Sequence, residues 1–382
     1  MEERFLHVYM DTTARCNLRC RMCLVAYQEK RYQRKPPQIA ERLRNLPQVM
    51  SRDLFLRIAA DVFPRTKTLY LSCGFEPLMN KDFGWYLEQT APYQVPNIGF
   101  TTNGVLLTET VARQCIQTPV NEISISLDGS RPETFESIRP GADWNRVLEN
   151  IRNLVQLRNA AGSPYPRIRL NYVLMNRNID QVVEFVELAK DLGVDVLDFR
   201  HVVVFDVAEE MRDESLFTQR ALTNAWLQKA KDRADRLGME IAYLPVFPRW
   251  PKMGQIQHRW RQWKKARRGE PRCGSPWETL VITPLGFVGP CVGWHRDAPL
   301  GNLATQSLDE IINNPAMTQL RDGLLGRGSL SDSCAACPTI SSRSTDQTAF
   351  TEVEMDILDK IWLETYAREF GWDIETSDED EG

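Results

Sequence analysis

Between residues 5 and 205 the chain repeats one pattern: a short apolar run with strand character, then a stretch whose apolar residues recur at helical spacing. "FLHVYMD" (5–11) reads as a first strand and "DLFLRIAADVF" (53–63) as a helix. "TLYLSC" (68–73), "NIGFTT" (97–102), "EISISL" (122–127), "RIRLNYVLM" (167–175) and "VLDFRHVVVF" (196–205) supply five more strands. Helical segments lie between them, over 81–91, over 107–117, behind "SRPETFESI" and over "DQVVEFVELAKDLG". Ser130 precedes Glu133 by three residues, the spacing of a capping box, and Gly193 suits a helix C-terminus. Six strands alternating with helices restrict the chain to a parallel α/β architecture. A partial or complete α/β barrel is the first choice; a doubly wound sheet has the same periodicity.

Beyond residue 206 the pattern changes. A helix over 216–237 and a strand over 239–244 lead into a basic, Trp-rich run. "ETLVITPLGFVGPC" (278–291) reads as a β-hairpin turning at Pro284–Gly286, and 307–325 as a helix. The closing "TSDEDEG" is a short acidic tail. These changes divide the chain into a barrel over 1–205, a bridging helical and basic segment over 206–272, a small α+β unit over 273–345, and a C-terminal helix with the tail over 346–382.

No apolar run reaches the roughly 18 residues that span a membrane, and "MEERFLHVYMD" lacks a signal-peptide layout. The expectation is a cytoplasmic protein, where thiols stay reduced and the nine cysteines point to metal or catalytic roles. Three of them, Cys16, Cys20 and Cys23, crowd into "ARCNLRCRMCLV" (14–25). Thiolates suit iron–sulfur clusters and zinc. Structural zinc takes four protein ligands, and here no fourth is adjacent. Three thiolates on a four-iron cubane leave one iron open to a substrate or cofactor. A zinc site with a distant fourth ligand is the alternative.

The spacing Cys-x3-Cys-x2-Cys after a first strand resembles the signature of the radical S-adenosylmethionine (radical SAM) superfamily. "CGFEP" (73–77) resembles its Gly-Gly-Glu-Pro motif with Phe75 in place of the second glycine. "TTNG" (101–104) and "SISLDG" (124–129) are similar to the counterparts at the third and fourth strands. The resemblance covers residues 5 to 205 and implies a partial (β/α)6 barrel. It implies that Cys16, Cys20 and Cys23 hold a [4Fe–4S] cluster whose unique iron chelates SAM, cleaved to methionine and a 5′-deoxyadenosyl radical that takes hydrogen from substrate. Gly74, Phe75, Glu76 and Pro77 would form the turn that meets the SAM amino group, with Glu76 bracing it. Ser126 and Asp128 are candidates for the ribose or carboxylate, and Arg139 for the carboxylate, though it also reads as a solvated charge. Asn103 and Asn171 are lesser candidates. Met22 would shield the cluster or touch adenine.

A second set reads Cys273-x17-Cys291-x42-Cys334-x2-Cys337. Cys273-x12-Gly286-x4-Cys291 resembles the opening of the SPASM extension of radical SAM enzymes. Only four cysteines remain, the shortened form called a twitch domain, and they would fully ligate one auxiliary [4Fe–4S] cluster. The same four would also form a zinc ribbon. Full ligation favours an electron relay over substrate coordination. Cys73 is a weak candidate hydrogen-atom donor and otherwise a small buried thiol. Cys115 reads as packing. His201 is a weak candidate for facing the substrate and otherwise structural; His295 lies near Cys291.

Residues 249–272 hold nine Lys/Arg and one acid, and 29–47 is also basic. Both read either as solvated surface or as a positive rim for an acidic substrate. With a net charge of −4, nucleic acid is the lesser partner. The leading function is a radical SAM oxidoreductase that acts on a small natural-product precursor, a sugar or aminocyclitol, with the auxiliary cluster as relay. An electron donor such as flavodoxin or ferredoxin is implied. The alternative is a peptide maturase or epimerase; a first strand by residue 5 leaves no room before it for a leader-binding module. A non-catalytic zinc or iron–sulfur protein is the minor reading.

Overall fold

The computed structural model describes residues 4–118, 120–247, 260–265, 267–294, 297–337, 340, 352–353 and 364–370. Strands β1 (Leu6–Met10), β2 (Thr66–Tyr70), β3 (Asn97–Thr102), β4 (Glu122–Ser126), β5 (Arg167–Leu174) and β6 (Val196–His201) pair in sequence order, each parallel to the next. β7 (Val204–Phe205) leaves this sheet and pairs with β12 (Glu352–Val353). β8 (Glu240–Tyr243) adds beyond β6, again parallel. The opposite edge is extended by β9 (Thr279–Ile282), which runs parallel to β1. β10 (Phe287–Gly289) and β11 (Gly301–Asn302) follow antiparallel. The result is a partial α/β barrel with a small α+β unit built onto its first strand.

Alternation along the strands sorts the two faces. In β5, Ile168, Leu170, Tyr172 and Leu174 are fully buried, while Arg167, Arg169, Asn171 and Val173 on the other face are half-buried. The apolar faces meet helices. Arg52–Val62 starts at Ser51, whose hydroxyl accepts the Leu54 N–H at 3.2 Å, and turns Phe55, Ile58, Ala59 and Val62 inward. Trp144–Ala160 buries Val147, Ile151 and Leu154 in the same way. Each such side chain contributes about 1.5–3 kcal/mol. The polar face carries a hydrogen-bonded chain across four strands. Tyr70 donates to Glu122, which pairs with Arg169 at 2.7 Å, and Arg169 reaches Asp198 at 3.2 Å.

Four local expectations change. No capping box forms at Ser130: the helix Pro132–Ile138 has Arg131 at its N-cap, and Ser130 donates to Glu184 at 3.1 Å. The chain's capping box is Ser307 with Glu310, which opens the helix Leu308–Ile312. The 307–325 helix is two, because Asn314 caps a second helix that begins at Pro315, and Pro cannot donate into a continuous turn. The strand over 196–205 breaks after His201. The 216–237 helix is regular only from Arg220; Leu216–Gln219 is a 3-10 turn.

Gly286 makes the hairpin turn at φ +86°, where an added Cβ would meet Asn302 Oδ1 at 2.7 Å and Ala304 N at 3.1 Å. Gly286→Ala is expected to cost about 2 kcal/mol, from the left-handed backbone and the clash together. A lower urea midpoint with unchanged slope is the expected result, and an unchanged midpoint would contradict it.

Candidate functional site

β1 ends at Met10, and the cysteine loop follows within a few residues. Thr13 bridges Val49, and the Met50 N–H donates to Thr12 O at 3.0 Å. Arg19 and Arg21 donate their N–H groups to the carbonyls of Pro140 (3.3 Å) and Ile138 (3.0 Å), so the loop is stapled to the chain behind β4. Cys20 is buried, and Cys16 and Cys23 are half-buried. Burial pushes the Cys20 thiol up to about 11; Arg139 opposes this, and Cys23 and Cys16 add to it. Cys16 and Cys23 are thus near enough to Cys20 to act on its charge.

Arg139 is not a solvated charge. Its Nε and Nη2 donate to Asp128 Oδ2 at 2.7 and 2.6 Å, and Nη1 reaches Cys20 Sγ at 3.5 Å. Asp128 is fully buried, and its other oxygen accepts the Val173 N–H at 2.7 Å. Asp128 and Arg139 thus spend their hydrogen bonds on each other and on the protein. Ser126 and Asn171 are register partners on β4 and β5, on the polar face, and no side-chain hydrogen bond is formed by either among the described residues. Asn103 is buried and donates to Asn17 Oδ1 at 2.8 Å, with Cys16 Sγ 4.0 Å away. Met22 packs between the apolar clusters of the barrel.

The 73–77 turn is fixed from two directions. Glu76, only 3% exposed, accepts from Thr102 Oγ1 and the Asn103 N–H, both at 2.7 Å. Burial raises its carboxyl to about 7, against those hydrogen bonds. Asp11, at the end of β1, accepts the Cys73 N–H at 2.7 Å and the Gly74 N–H at 3.0 Å. Burial lifts Asp11 to about 6 despite these bonds. The sequence reading missed Asp11 by counting it as the last residue of a strand. The signal was an acid immediately before the cysteine loop, where a carboxylate needs a partner.

The second thiol set also gathers. Burial pushes Cys291 up to about 11, with Cys334, Cys337 and Cys273 as nearby contributors. Cys334 sits at the start of the helix Asp332–Ala336, with its N–H capped by Ser331 Oγ at 3.3 Å. Beside Cys291 lies a cavity of about 350 Å³, which Ala14 of the first cysteine loop also lines. Asp11, Cys73 and Phe75 form one wall, Cys291 and Trp294 another, and Leu43 with Leu46 a third. The 29–47 segment contributes mainly apolar groups there, because its helix Pro37–Arg44 turns Ile39 and Leu43 inward. Lys35 is the cation of that wall.

His201 does not line the cavity. Its ring stacks on Phe247 at 4.4 Å, its Nε2 lies 2.8 Å from Pro245 O, and burial lowers it to about 4. Cys115 is buried packing. His295 and residues 249–259 lie outside the described residues.

Among the described residues no three Cys, His, Asp or Glu side chains converge as a single metal ion needs. A tetrahedral zinc site crowds four donors at about 2–2.3 Å from one ion. Three thiols on one loop, and three more gathered around Cys291, suit donors bound to separate irons of a cluster.

A parallel partial barrel with a three-thiol loop after its first strand, joined to a four-thiol unit, defines a radical SAM protein. The family model "Radical SAM superfamily" matches residues 10–161, and the SPASM model, an iron-sulfur cluster-binding domain, matches 273–338. The chain belongs to the radical SAM superfamily and carries a SPASM-type domain; its cofactors are a SAM-binding [4Fe–4S] cluster, S-adenosylmethionine and an auxiliary [4Fe–4S] cluster. It is 28% identical over 194 residues to molybdenum cofactor biosynthesis protein 1 of Dictyostelium discoideum, covering 50% of this chain and 28% of that one. It is 29% identical over 184 residues to the mycofactocin maturase MftC of Mycobacterium tuberculosis, covering 48% and 41%. The chain thus spans half or less of the length of these curated relatives. SuiB of Streptococcus suis bound to S-adenosylmethionine shares the fold with TM-score 0.60 and 14% identity, over 88% of this chain and 72% of SuiB. Native anSMEcpe with bound AdoMet does so with TM-score 0.57 and 14% identity, over 96% and 98%. Among the described residues no helix is long and apolar enough to cross a membrane.

Asp11→Asn places an amide where two backbone N–H groups need an acceptor. If the turn holds SAM, this variant is expected to bind it about tenfold more weakly, since an unsatisfied buried donor costs about 1–3 kcal/mol. Calorimetry with SAM and anaerobically reconstituted protein measures this, with iron content as the control. Equal affinity at equal iron would remove Asp11 from the SAM site.

Proposed function

We propose that the chain is a radical SAM oxidoreductase whose substrate sits in the cavity between the 73–77 turn and Cys291. The supporting observation is that one cavity has both a SAM-turn wall and an auxiliary-ligand wall. Cys16, Cys20 and Cys23 would hold the SAM-binding cluster, and Cys273, Cys291, Cys334 and Cys337 the auxiliary one. When bound, these groups supply a radical able to take a hydrogen atom and a one-electron acceptor for the carbon left behind. The Gly74–Pro77 turn, Ser126 and Asn171 would contact SAM. Asp128 and Arg139 would position the loop through Cys20. Asp11 Oδ2 would take the proton that an oxidised substrate must lose, at a carboxyl that burial brings close to working pH.

The cavity wall favours one substrate class. Leu43, Leu46, Val281, Leu285 and Val292 give it an apolar part, and Asp11, Gln28, Tyr32, Lys35, Gln48 and Thr283 a polar one. A sugar or aminocyclitol, as suggested by the sequence, would need the polar part for most of its hydroxyls, since each unpartnered one would cost about 1–3 kcal/mol. An apolar or aromatic side chain on a peptide suits the apolar part better, and a relative named as a maturase fits that reading. Cys73 supports a second outcome. It is exposed and lines the same cavity, where a thiol can return a hydrogen atom and complete an epimerisation.

Reconstituted protein is expected to hold about eight irons, and Cys16→Ala/Cys20→Ala/Cys23→Ala about four, with loss of 5′-deoxyadenosine formation. SAM cleavage by that triple variant under dithionite would refute the assignment. Cys334→Ala/Cys337→Ala is expected to keep some SAM cleavage and lose oxidised product. Solvent deuterium at an unoxidised substrate carbon would replace oxidation with epimerisation.

A further inference from the structure

The chain just before Cys273 is an exposed basic helix, regular over 260–265 and at 267. Trp260 and Trp263 are 54% and 52% exposed, one helical turn apart on the same face. Lys264 Nζ sits 3.5 Å from the Trp260 ring centre, and the Arg267 guanidinium 4.9 Å from that of Trp263. Stacking holds these cations in place and presents a flat, positive, partly apolar surface. Arg261, Lys264, Lys265, Arg267 and Arg268 fall within this stretch, and among the described residues Arg268 has Glu270 at 3.6 Å.

The helix is tied to the auxiliary thiols. Glu270 donates its N–H to Lys265 O at 2.9 Å, and Lys265 Nζ donates to Arg272 O at 3.4 Å. The Arg272 N–H is held by Leu324 O at 3.0 Å, and Cys273 follows directly, half-buried. The positive surface is therefore fixed beside a thiol of the auxiliary set that solvent still touches.

We propose that this helix docks an acidic single-electron carrier protein, with a flavin or iron–sulfur centre, that exchanges one electron with the cluster held by Cys273, Cys291, Cys334 and Cys337. The proposal rests on the cluster assignment above. One centre loses the electron that the other gains, and no bond forms or breaks. Charge complementarity selects the partner: an acidic patch meets the five cations, and the two indoles supply a small apolar contact, as in transient redox encounters. A nucleic acid is the poorer occupant, because the chain's net charge of −4 opposes a long polyanion beyond this one short helix.

The test uses oxidised flavodoxin as the probe and reconstituted full-length protein. Calorimetric binding is expected to weaken about tenfold in Lys264→Glu/Arg267→Glu and about tenfold in wild type between about 50 and about 300 mM salt. Trp260→Ala/Trp263→Ala is expected to weaken it at both salt concentrations. Dithionite-driven SAM cleavage is expected to stay at the wild-type level in all variants, since a small reductant needs no dock. Flavodoxin binding unchanged by charge reversal would overturn the proposal, as would a single-stranded RNA binding more tightly than flavodoxin. Loss of dithionite-driven cleavage together with binding would also overturn it, because a docking surface alone does not act there. Absence of SAM cleavage in the wild type would instead remove the proposed function, and the carrier-binding comparison would still stand by itself.

Discussion

Strand β1 has a hydrogen-bonded neighbour on each side, and the meeting of the first cysteine loop with the 73–77 turn and the Gly286 hairpin depends on this. β2 and β9 both run parallel to it, with His7 to Tyr9 in register with Thr68 to Tyr70 on one side and with Thr279 to Val281 on the other. The cysteine loop leaves the end of β1, the 73–77 turn leaves the end of β2, and the hairpin turn at Pro284–Gly286 leaves the end of β9, with Cys291 following β10 on its antiparallel return. Parallel strands end at the same side of a sheet, so three chain segments far apart in sequence are delivered to one place. The Asp11 N–H completes the junction by donating to Ile282 O at 3.0 Å, while its side chain clamps Cys73 and Gly74.

Buried charge then sets the geometry at that end of the sheet. A fully buried Asp128 beside a nearly buried Arg139 carries a desolvation cost that only good partners offset. The pair has them: the Val173 N–H on one side and the Cys20 thiol on the other. Removing either partner strands the other charge. Glu76 is treated similarly, with hydrogen bonds from β3 to both of its oxygens. These groups hold the backbone around them in place, whereas the side chains of Ser126 and Asn171 form no hydrogen bond among the described residues.

How much was legible follows from range. Strand-and-helix alternation is local, so β1 to β6 and the hairpin at Gly286 could be read directly. The two cysteine sets could also be read, because thiolate spacing carries its own chemistry. Which polar residues stay open could not. Ser126 and Asp128 are two positions apart, and only the arrival of Arg139 from the next helix separates their roles. The capping box was placed at Ser130 because the spacing was right, but Gln181 and Glu184 from a later helix compete for that hydroxyl. His201 was ambiguous until Phe247, 46 positions on, supplied its stacking partner. The pairing of β9 with β1 spans more than 270 residues, and no local pattern announces it.

The polar face of the barrel and the apolar cavity divide the work of binding. On the face, Tyr70, Glu122, Arg169 and Asp198 satisfy one another across β2, β4, β5 and β6. Such a network holds strand register, because its carboxylates and guanidinium are already paired with one another. The cavity differs because its walls come from separate units: the cluster-loop helices, the 73–77 turn and the SPASM-type hairpin. Leu43 shapes the cavity from the helix Pro37–Arg44, whereas Val292 adjoins Cys291 and the Trp294 N–H donates to Cys291 O at 3.3 Å, so these two couple cavity shape to the thiol. Under the proposed function, the residues lining this cavity would set substrate choice while the two thiol sets hold the clusters.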